Sequence, residues 1–368
     1  MNLKKIYGLI KGHRFDSYLS IFESENPGEE YLNSINIDVY SINSLTQKDT
    51  FPSNKFNFEK ANAPGEDFKI YFMDHDAKFD YFSFFEYKFS LHDLTLDDIG
   101  TSIGQAKYEE YHNYTFLSSF CPAQENDSFG GKVSLLLFKN FAFILLPKSL
   151  RSDLGDLISL VSDGHEDIIE NPVFFNMVMV DFFSQGYFSR LNNLTDQNSM
   201  IEESIFRNKN IFDEIRAFRE AVVFYKNKAM SLARLMDLMN REIGKENGDV
   251  EKRLKSFKDH LSYAAEEYGV LKGSSGDMLN LYLAYNSKKT NDVMSLLTLV
   301  TSIFIPLSFI TGLYGMNFDP AVSPFNMPEL KWKYGYFYVL ALLVSIAIVM
   351  IGIFVYRGWL TVKKEGNE

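Results

Sequence analysis

The stretch Val293-Met294-Ser295-Leu296-Leu297-Thr298-Leu299-Val300-Thr301-Ser302-Ile303-Phe304-Ile305-Pro306-Leu307-Ser308-Phe309-Ile310-Thr311-Gly312-Leu313, followed at once by Tyr314-Gly315-Met316-Asn317-Phe318, decides how the chain is built. Its first part is 21 residues without a charge, and a second uncharged run, Tyr334 to Tyr356, almost ends the chain. A helix rises about 1.5 Å per residue, so each run is long enough to cross a hydrocarbon core of about 30 Å. Gly315-Met316-Asn317 therefore falls where a first membrane helix (about 293–313) reaches the far side. A polar loop (about 314–333) leads to the second helix (about 334–356), and everything before residue 290 reads as a body feeding this pair.

The flanks give the pair an orientation. Lys288 and Lys289 precede the first span and Arg357, Lys363 and Lys364 follow the second, whereas the loop carries only Lys331 and Lys333, offset by Asp319 and Glu329. This bias towards basic residues places both ends in the cytoplasm. Trp332, Tyr334, Tyr336 and Tyr338 mark the outer interface and Trp359 the inner one. At about 100° per residue, Met294, Leu297, Thr301, Ile305, Ser308 and Gly312 share one stripe of the first span, with Asn291 at its inner edge. The second span has no such stripe beyond Ser345, so the first would line a pathway and the second would face lipid. Small and hydroxylated residues also simply let membrane helices pack closely, and the stripe alone does not separate the two readings. Pro306 removes a backbone donor in mid-span, bending the helix or freeing the carbonyl of Ser302.

Composition narrows the rest. The formal charge of the 368-residue chain is -11, which argues against a nucleic-acid partner and suits divalent cations. Cys121 is the only cysteine, which rules out an intrachain disulfide and a multi-cysteine zinc site. The N-terminal stretch Met1 to Phe15 has Lys4, Lys5, Lys11 and Arg14 but an apolar patch of only Tyr7 to Ile10, too short for a signal-peptide core.

Lys69-Ile70-Tyr71-Phe72-Met73-Asp74 reads as a strand. Lys132 to Phe138 and Phe141 to Leu146 read as two more, joined as a hairpin at Lys139-Asn140. Leu94 to Ser102 and Lys107 to Tyr111 read as helix or loop, with turns at Asn26-Pro27-Gly28 and Phe51-Pro52-Ser53-Asn54. The 34 Phe and 21 Tyr, concentrated in this half, would fill a sheet core. The expectation is an α/β domain over 1–170. From Val173 to Asn240 apolar residues recur at helical spacing, predicting two or three antiparallel helices with breaks near Asn192-Asn193 and Asn208 to Asn210. A last helix begins near Asp249, capped there, after a turn at Lys245 to Gly248. Gly269, Gly273 and Gly276 each cost it about 1 kcal/mol relative to Ala, enough to bend or fray it at 273–276.

The decisive stretch also carries a resemblance. Thr290-Asn291-Asp292-Val293-Met294, then Ile305 to Phe318 with its Tyr-Gly-Met-Asn, then Met327-Pro328-Glu329-Leu330 and Trp332, resemble the CorA family of magnesium channels. The match is dense over about the last 80 residues and thinner in Leu91 to Ile99 and Lys107 to Tyr111. The resemblance implies a homopentamer in the inner (plasma) membrane, with two spans per subunit, both termini cytoplasmic and a large cytoplasmic body. It implies domains at 1–170 (α/β), 171–290 (helical, with a stalk helix running unbroken into the membrane), 291–357 (the spans) and 358–368 (a basic tail). It implies passive Mg²⁺ uptake, with Co²⁺ and Ni²⁺ as further cargo, a selectivity filter at Gly315, Met316 and Asn317, and a pore lined by the stripe described above.

Mg²⁺ gives up water reluctantly. A ring of neutral Asn317 amides and backbone carbonyls such as that of Gly315 can accept hydrogen bonds from the ion's water shell, recognising the hydrated ion while releasing it easily. Gly315 would let the chain turn towards the axis, and Leu297 and Ile305 would gate by dewetting.

In this family an Asp at the position of Asp98 faces a stalk carboxylate across the subunit interface and binds regulatory Mg²⁺. The stalk partner falls on Ser256, with Asp259 about a turn on, and a further acidic ring falls on Asn280, with Asp277 three residues earlier. A sensor would thus be weaker, shifted to Asp259 and Asp277, or absent. Nothing points to an enzyme: there is no Gly-rich phosphate loop and no Gly-x-Ser-x-Gly. The six His are scattered, His92 and His260 reading as structural or surface residues, and Asp74-His75-Asp76 reads as a turn rather than a metal site. A zinc transporter of the same superfamily remains an alternative, though those relatives tend to carry Val in place of Met316 and lack the Met-Pro-Glu-Leu loop. A non-conducting membrane-anchored scaffold is another.

Overall fold

The computed structural model describes residues 34–359 except 64–66, 76–78, 102–103, 125–128, 208–210, 245–247, 317, 319–321 and 324. The chain divides into two compact units, Met1–Tyr282 and Leu283–Glu368.

The first unit is built on a seven-stranded sheet. Its strands are β1 (Asn36–Ser41), β2 (Ser44–Pro52), β3 (Lys69–His75), β4 (Lys107–Glu110), β5 (Tyr114–Cys121), β6 (Gly131–Phe138) and β7 (Phe141–Pro147), in the order β2-β1-β3-β7-β6-β5-β4. All neighbours are antiparallel except β3 and β7, where Lys69 pairs with Phe141 and His75 with Pro147. The hairpin of β6 and β7 closes across Leu137 and Ala142, at the turn the sequence marks. Both strands are buried almost throughout, as strands covered on two faces are.

Short helices cover one face: α1 (Phe58–Ala61), α2 (Tyr81–Phe89) and α3 (Asp93–Gly100). Here the aromatic residues assemble the expected core. The Phe56 ring meets Tyr71 edge-on at 5.2 Å and stacks on Phe89 at 5.1 Å, and Phe85 packs edge-on to Phe143 at 5.5 Å. Such pairs add about 0.5–1.5 kcal/mol beyond the area they bury.

After β7 come α4 (Leu154–Asp163), α5 (His165–Glu170), α6 (Phe174–Phe206) and α7 (Phe212–Glu242). The Tyr187 hydroxyl of α6 donates to the Phe120 carbonyl at 2.9 Å, and the Tyr225 hydroxyl of α7 donates to the Phe129 carbonyl at 3.0 Å. Gly186 lets α6 approach the end of β5; a Cβ there would lie 2.5 Å from the Pro122 carbonyl oxygen.

Helix α8 (Gly248–Tyr314) runs unbroken for 67 residues, through all three glycines and Pro306. In the first unit it is locked by Tyr268, whose hydroxyl donates to the Tyr187 carbonyl at 2.7 Å. The resemblance's unbroken helix is therefore observed, and the bend expected from glycine propensity is not. Asp249 stands in the first turn of α8 rather than capping it from outside, and pairs with Lys252 at 3.4 Å.

Three other expectations are corrected. Lys107–Glu110 is an edge strand, not helix or loop. Asn192-Asn193 does not interrupt α6, because the flanking Leu191 and Leu194 are buried. The turn expected at Asp74-His75 is instead the end of β3, in agreement with the strand expected over Lys69 to Asp74, and Arg151 holds Asp74 at 2.8 Å while also holding buried Asp38 at 2.6 Å. His92 is structural, its Nδ1 accepting from the Leu94 amide at the start of α3. The segments around Asn26 and Asn208, the Lys245 to Asn247 turn and Asp76 lie outside the described residues.

The second unit holds the membrane-proximal part of α8 and α9 (Gly335–Tyr356). Both helices are long and apolar enough to cross a membrane.

Candidate functional site

In the second unit α8 supplies the candidate pathway. Every member of the sequence stripe is exposed on the single chain: Asn291, Met294, Leu297, Thr301, Ile305, Ser308 and Gly312. So are apolar residues on its other faces, among them Leu296, Phe304 and Phe309. Leu299 is buried and Ile303, Leu307 and Ile310 are half-buried, but an uncharged segment with this much apolar surface exposed is stable only where lipid or other helices replace water. The hydroxyls on it are partly spent locally: Thr301 Oγ1 donates to the Leu297 carbonyl at 2.7 Å and Thr298 Oγ1 to the Met294 carbonyl at 2.8 Å. That spends the Thr301 hydroxyl hydrogen and leaves its oxygen able to accept.

The far end of α8 is closed by backbone. The Gly315 amide donates to the Thr311 carbonyl at 3.0 Å and the Met316 amide to the Leu313 carbonyl at 3.2 Å. Gly315 does not take a positive φ, so its glycine is not required by a left-handed turn. A Cβ there would lie 3.3 Å from the carbonyl oxygens of both Thr311 and Gly312. Asn317 lies outside the described residues.

Beyond it Met327 takes a left-handed conformation (φ 43°) that launches a short 3₁₀ turn, Pro328–Lys331. Gly335 is required there, since a Cβ would run into the Glu329 carbonyl. The Met-Pro-Glu side of this loop, with Leu313, Tyr314 and Phe318, lines a cleft of about 360 Å³. Trp332 and Tyr338 meet edge-on at 5.9 Å.

The candidate regulatory residues sit in the first unit. Asp98, near the end of α3, is not a bare carboxylate: Lys107 of β4 reaches its Oδ2 at 2.5 Å. Lys132 of β6 donates to the Asp98 carbonyl and to Thr101 Oγ1. Burial pushes the Lys132 amine down to about 8, although Asp98 works the other way. Lys228, which donates to the Gly104 carbonyl at 2.6 Å, is likewise pushed down to about 8 by burial.

Sequence reasoning missed Lys107 and Lys132 as partners of Asp98. A signal was present for Lys132, a cation inside a strand buried on both faces, which must find acceptors. Asp259 is exposed on α8 and lines a cleft of about 220 Å³ with Asp237 and Glu251; Asp277 is exposed further along the same helix. Among the described residues of one chain no three His, Cys, Asp or Glu side chains come together as a metal site.

A family model described as CorA-like Mg²⁺ transporter protein matches residues 70–357. The chain is 28% identical over 286 residues to the cobalt/magnesium transport protein CorA of Thermotoga maritima, covering 74% of this chain and 78% of that one. It is 27% identical over 285 residues to the putative metal ion transporter YfjQ of Bacillus subtilis, covering 75% and 85%. Among solved structures, the complete CorA magnesium transporter of Methanocaldococcus jannaschii superposes with a TM-score of 0.66 at 18% identity, covering 89% of this chain and all of that one. This last likeness extends to a long helix followed by a second apolar helix, the arrangement found here.

Proposed function

Because this chain belongs to the CorA family, whose members are ion transporters and not enzymes, we propose that it carries Mg²⁺ across the cell membrane, with Co²⁺ and Ni²⁺ as further cargo. The observation that carries this reading is one unbroken helix, α8, that ends at Tyr314 directly before Gly315-Met316-Asn317 and is followed by a second apolar helix, α9.

In this reading subunits assemble as a homopentamer around α8. Residues 1–170 and 171–290 stay in the cytoplasm, 291–357 cross the membrane twice and 358–368 return to the cytoplasm. The orientation rests on the basic flanks of the spans. Tags at the two ends should both resist external protease in intact spheroplasts, and cleavage of either would reverse the assignment.

The stripe Asn291, Met294, Leu297, Thr301, Ile305, Ser308 and Gly312 lines the path. Hydroxyl oxygens such as that of Thr301 accept from the ion's water shell, while Leu297 and Ile305 narrow the dry part. At the mouth, Gly315, Met316 and Asn317 form the filter. Neutral amides there hold a hydrated Mg²⁺ weakly enough to let it leave. The ion moves down its electrochemical gradient, an inside-negative potential contributing about 2.3 kcal/mol per charge per 100 mV and twice that for a divalent ion.

Asp98, with Asp259 and Asp277, is the candidate for cytoplasmic sensing of the same ion. Any divalent cation reaching the Asp98 carboxylate competes with the Lys107 ammonium already on it. The test of transport is Mg²⁺ flux into proteoliposomes of the purified full chain, with Co²⁺ and Zn²⁺ as competitors. Flux inhibited by Co²⁺ and not by Zn²⁺ is expected; preferential Zn²⁺ flux would favour a zinc transporter, and absence of any flux a non-conducting scaffold.

A further inference from the structure

We propose that Lys228 and Ser231 of α7 transmit cation occupancy at Asp98 to α8, through the loop that joins α3 to β4. This rests on the reading of Asp98 as a sensing residue.

The loop spans residues 101–106, of which 102–103 lie outside the described residues. It is held from two sides. From the sheet, buried Lys132 donates to the Asp98 carbonyl and, at 3.2 Å, to Thr101 Oγ1. Gly104 lies over the same amine, a Cβ there falling 3.8 Å from Lys132 Nζ. From the helical layer, Lys228 donates to the Gly104 carbonyl at 2.6 Å, and Ser231 Oγ accepts from the Ala106 amide at 3.0 Å. Lys228 and Ser231 are three residues apart on α7 and so share one face of it.

These bonds tie the loop's position to that of α7. Parting them would strand the half-buried Lys228 ammonium and leave the Ala106 amide without its acceptor, and both cost free energy away from water. Loop and α7 therefore move together. Lys107, which holds Asp98 Oδ2 at 2.5 Å, directly follows Ala106. A divalent cation that draws Lys107 off Asp98 thus acts on the residue next to the Ala106–Ser231 bond. In the first unit α7 in turn packs on α8: the Tyr225 and Tyr268 rings stack at 6.3 Å, and Asp237 pairs with Lys258 at 2.7 Å. The contacts run without a gap from Asp98 through the loop and α7 to α8, the continuity that coupling between two sites needs.

The test reads Mg²⁺ flux by the full chain in proteoliposomes against internal Mg²⁺, together with amide hydrogen exchange of the same protein with and without Mg²⁺. In a Lys228→Met, Ser231→Ala double variant, inhibition should require about fivefold more internal Mg²⁺ or higher, with uninhibited flux unchanged. Mg²⁺ should still slow exchange over α3, as in wild type, but no longer over α7. Ser231→Ala alone should move the inhibition curve the same way, and Lys228→Arg, which keeps a donor for the Gly104 carbonyl, should retain the wild-type curve. If Asp98→Ala shifts the curve and the folded double variant does not, this proposal falls and the sensing role of Asp98 stands. Loss of the Mg²⁺ effect over α3 in the double variant also overturns it, because Lys228 and Ser231 would then maintain the binding site itself. An unchanged curve for Asp98→Ala removes the sensing role, and this proposal with it.

Discussion

Asp98 shows how much one contact changes the reading of a residue. In sequence it is an acid next to another acid; in the fold its carboxylate is shared with Lys107 and its carbonyl with Lys132. If Asp98 helps sense internal Mg²⁺, Lys107 is the ion's competitor. Lys107→Gln should then shift the inhibition of flux to lower internal Mg²⁺, and Asp98→Ala should shift it to higher. Superimposable inhibition curves for wild type and both variants would remove Asp98 from regulation.

Lys132 offers a second test at this scale. Its folded pKa is about 8 against an ordinary value of 10.5, the cause being burial, with Asp98 opposing and Lys107 and Lys228 assisting. Between those pH values the folded chain binds fewer protons here than the unfolded chain does, so stability gains from this group as pH rises. Below about pH 8 the charged amine pays its full burial cost, and the cost fades towards pH 10.5. Denaturant midpoints of wild type minus Lys132→Met should therefore move in favour of wild type between pH 8 and pH 10. A difference independent of pH would show that the amine titrates normally.

At the scale of elements, α6 depends on Gly186. A Cβ there meets the Pro122 carbonyl oxygen at 2.5 Å and Cys121 Sγ at 3.3 Å, and neither can retreat from a buried strand end. Gly186→Ala should cost about 1–3 kcal/mol, read as a lower melting temperature with helicity retained. An unchanged melting temperature would mean that α6 does not press on β5 there. The elements that sequence patterns reveal are the central ones: β3, β6 and β7 are apolar runs because they are covered on both faces. The elements they hide are the edges. β2 and β4 end the sheet, and edge strands carry charge that discourages further pairing, so Lys107-Tyr108-Glu109-Glu110 lacks a strand's apolar signature. The glycines of α8 mislead in the same way. Local propensity counts against Gly269, but Lys226 of the preceding helix lies across it, a contact that local sequence does not reveal.

For the whole molecule, the two apolar helices and the motif between them are legible because each is a long uncharged run, sufficient in length and composition to cross a membrane. The chemistry at the mouth was legible only through the resemblance, since one Asn gives no sign of a ring. The central claim is that Mg²⁺ passes through a pathway closed at its outer end by Asn317. On that claim an amide is needed there, as a group that can both accept from the ion's water shell and donate. Asn317→Asp keeps the shape but gathers negative charge around one axis, so it should hold divalent ions more tightly and pass them more slowly. The most direct measurement is Mg²⁺ flux into proteoliposomes by Asn317→Ala, with assembly followed in parallel. The account predicts normal assembly with Mg²⁺ uptake abolished; a fully assembled Asn317→Ala protein that takes up Mg²⁺ at the wild-type rate would contradict it.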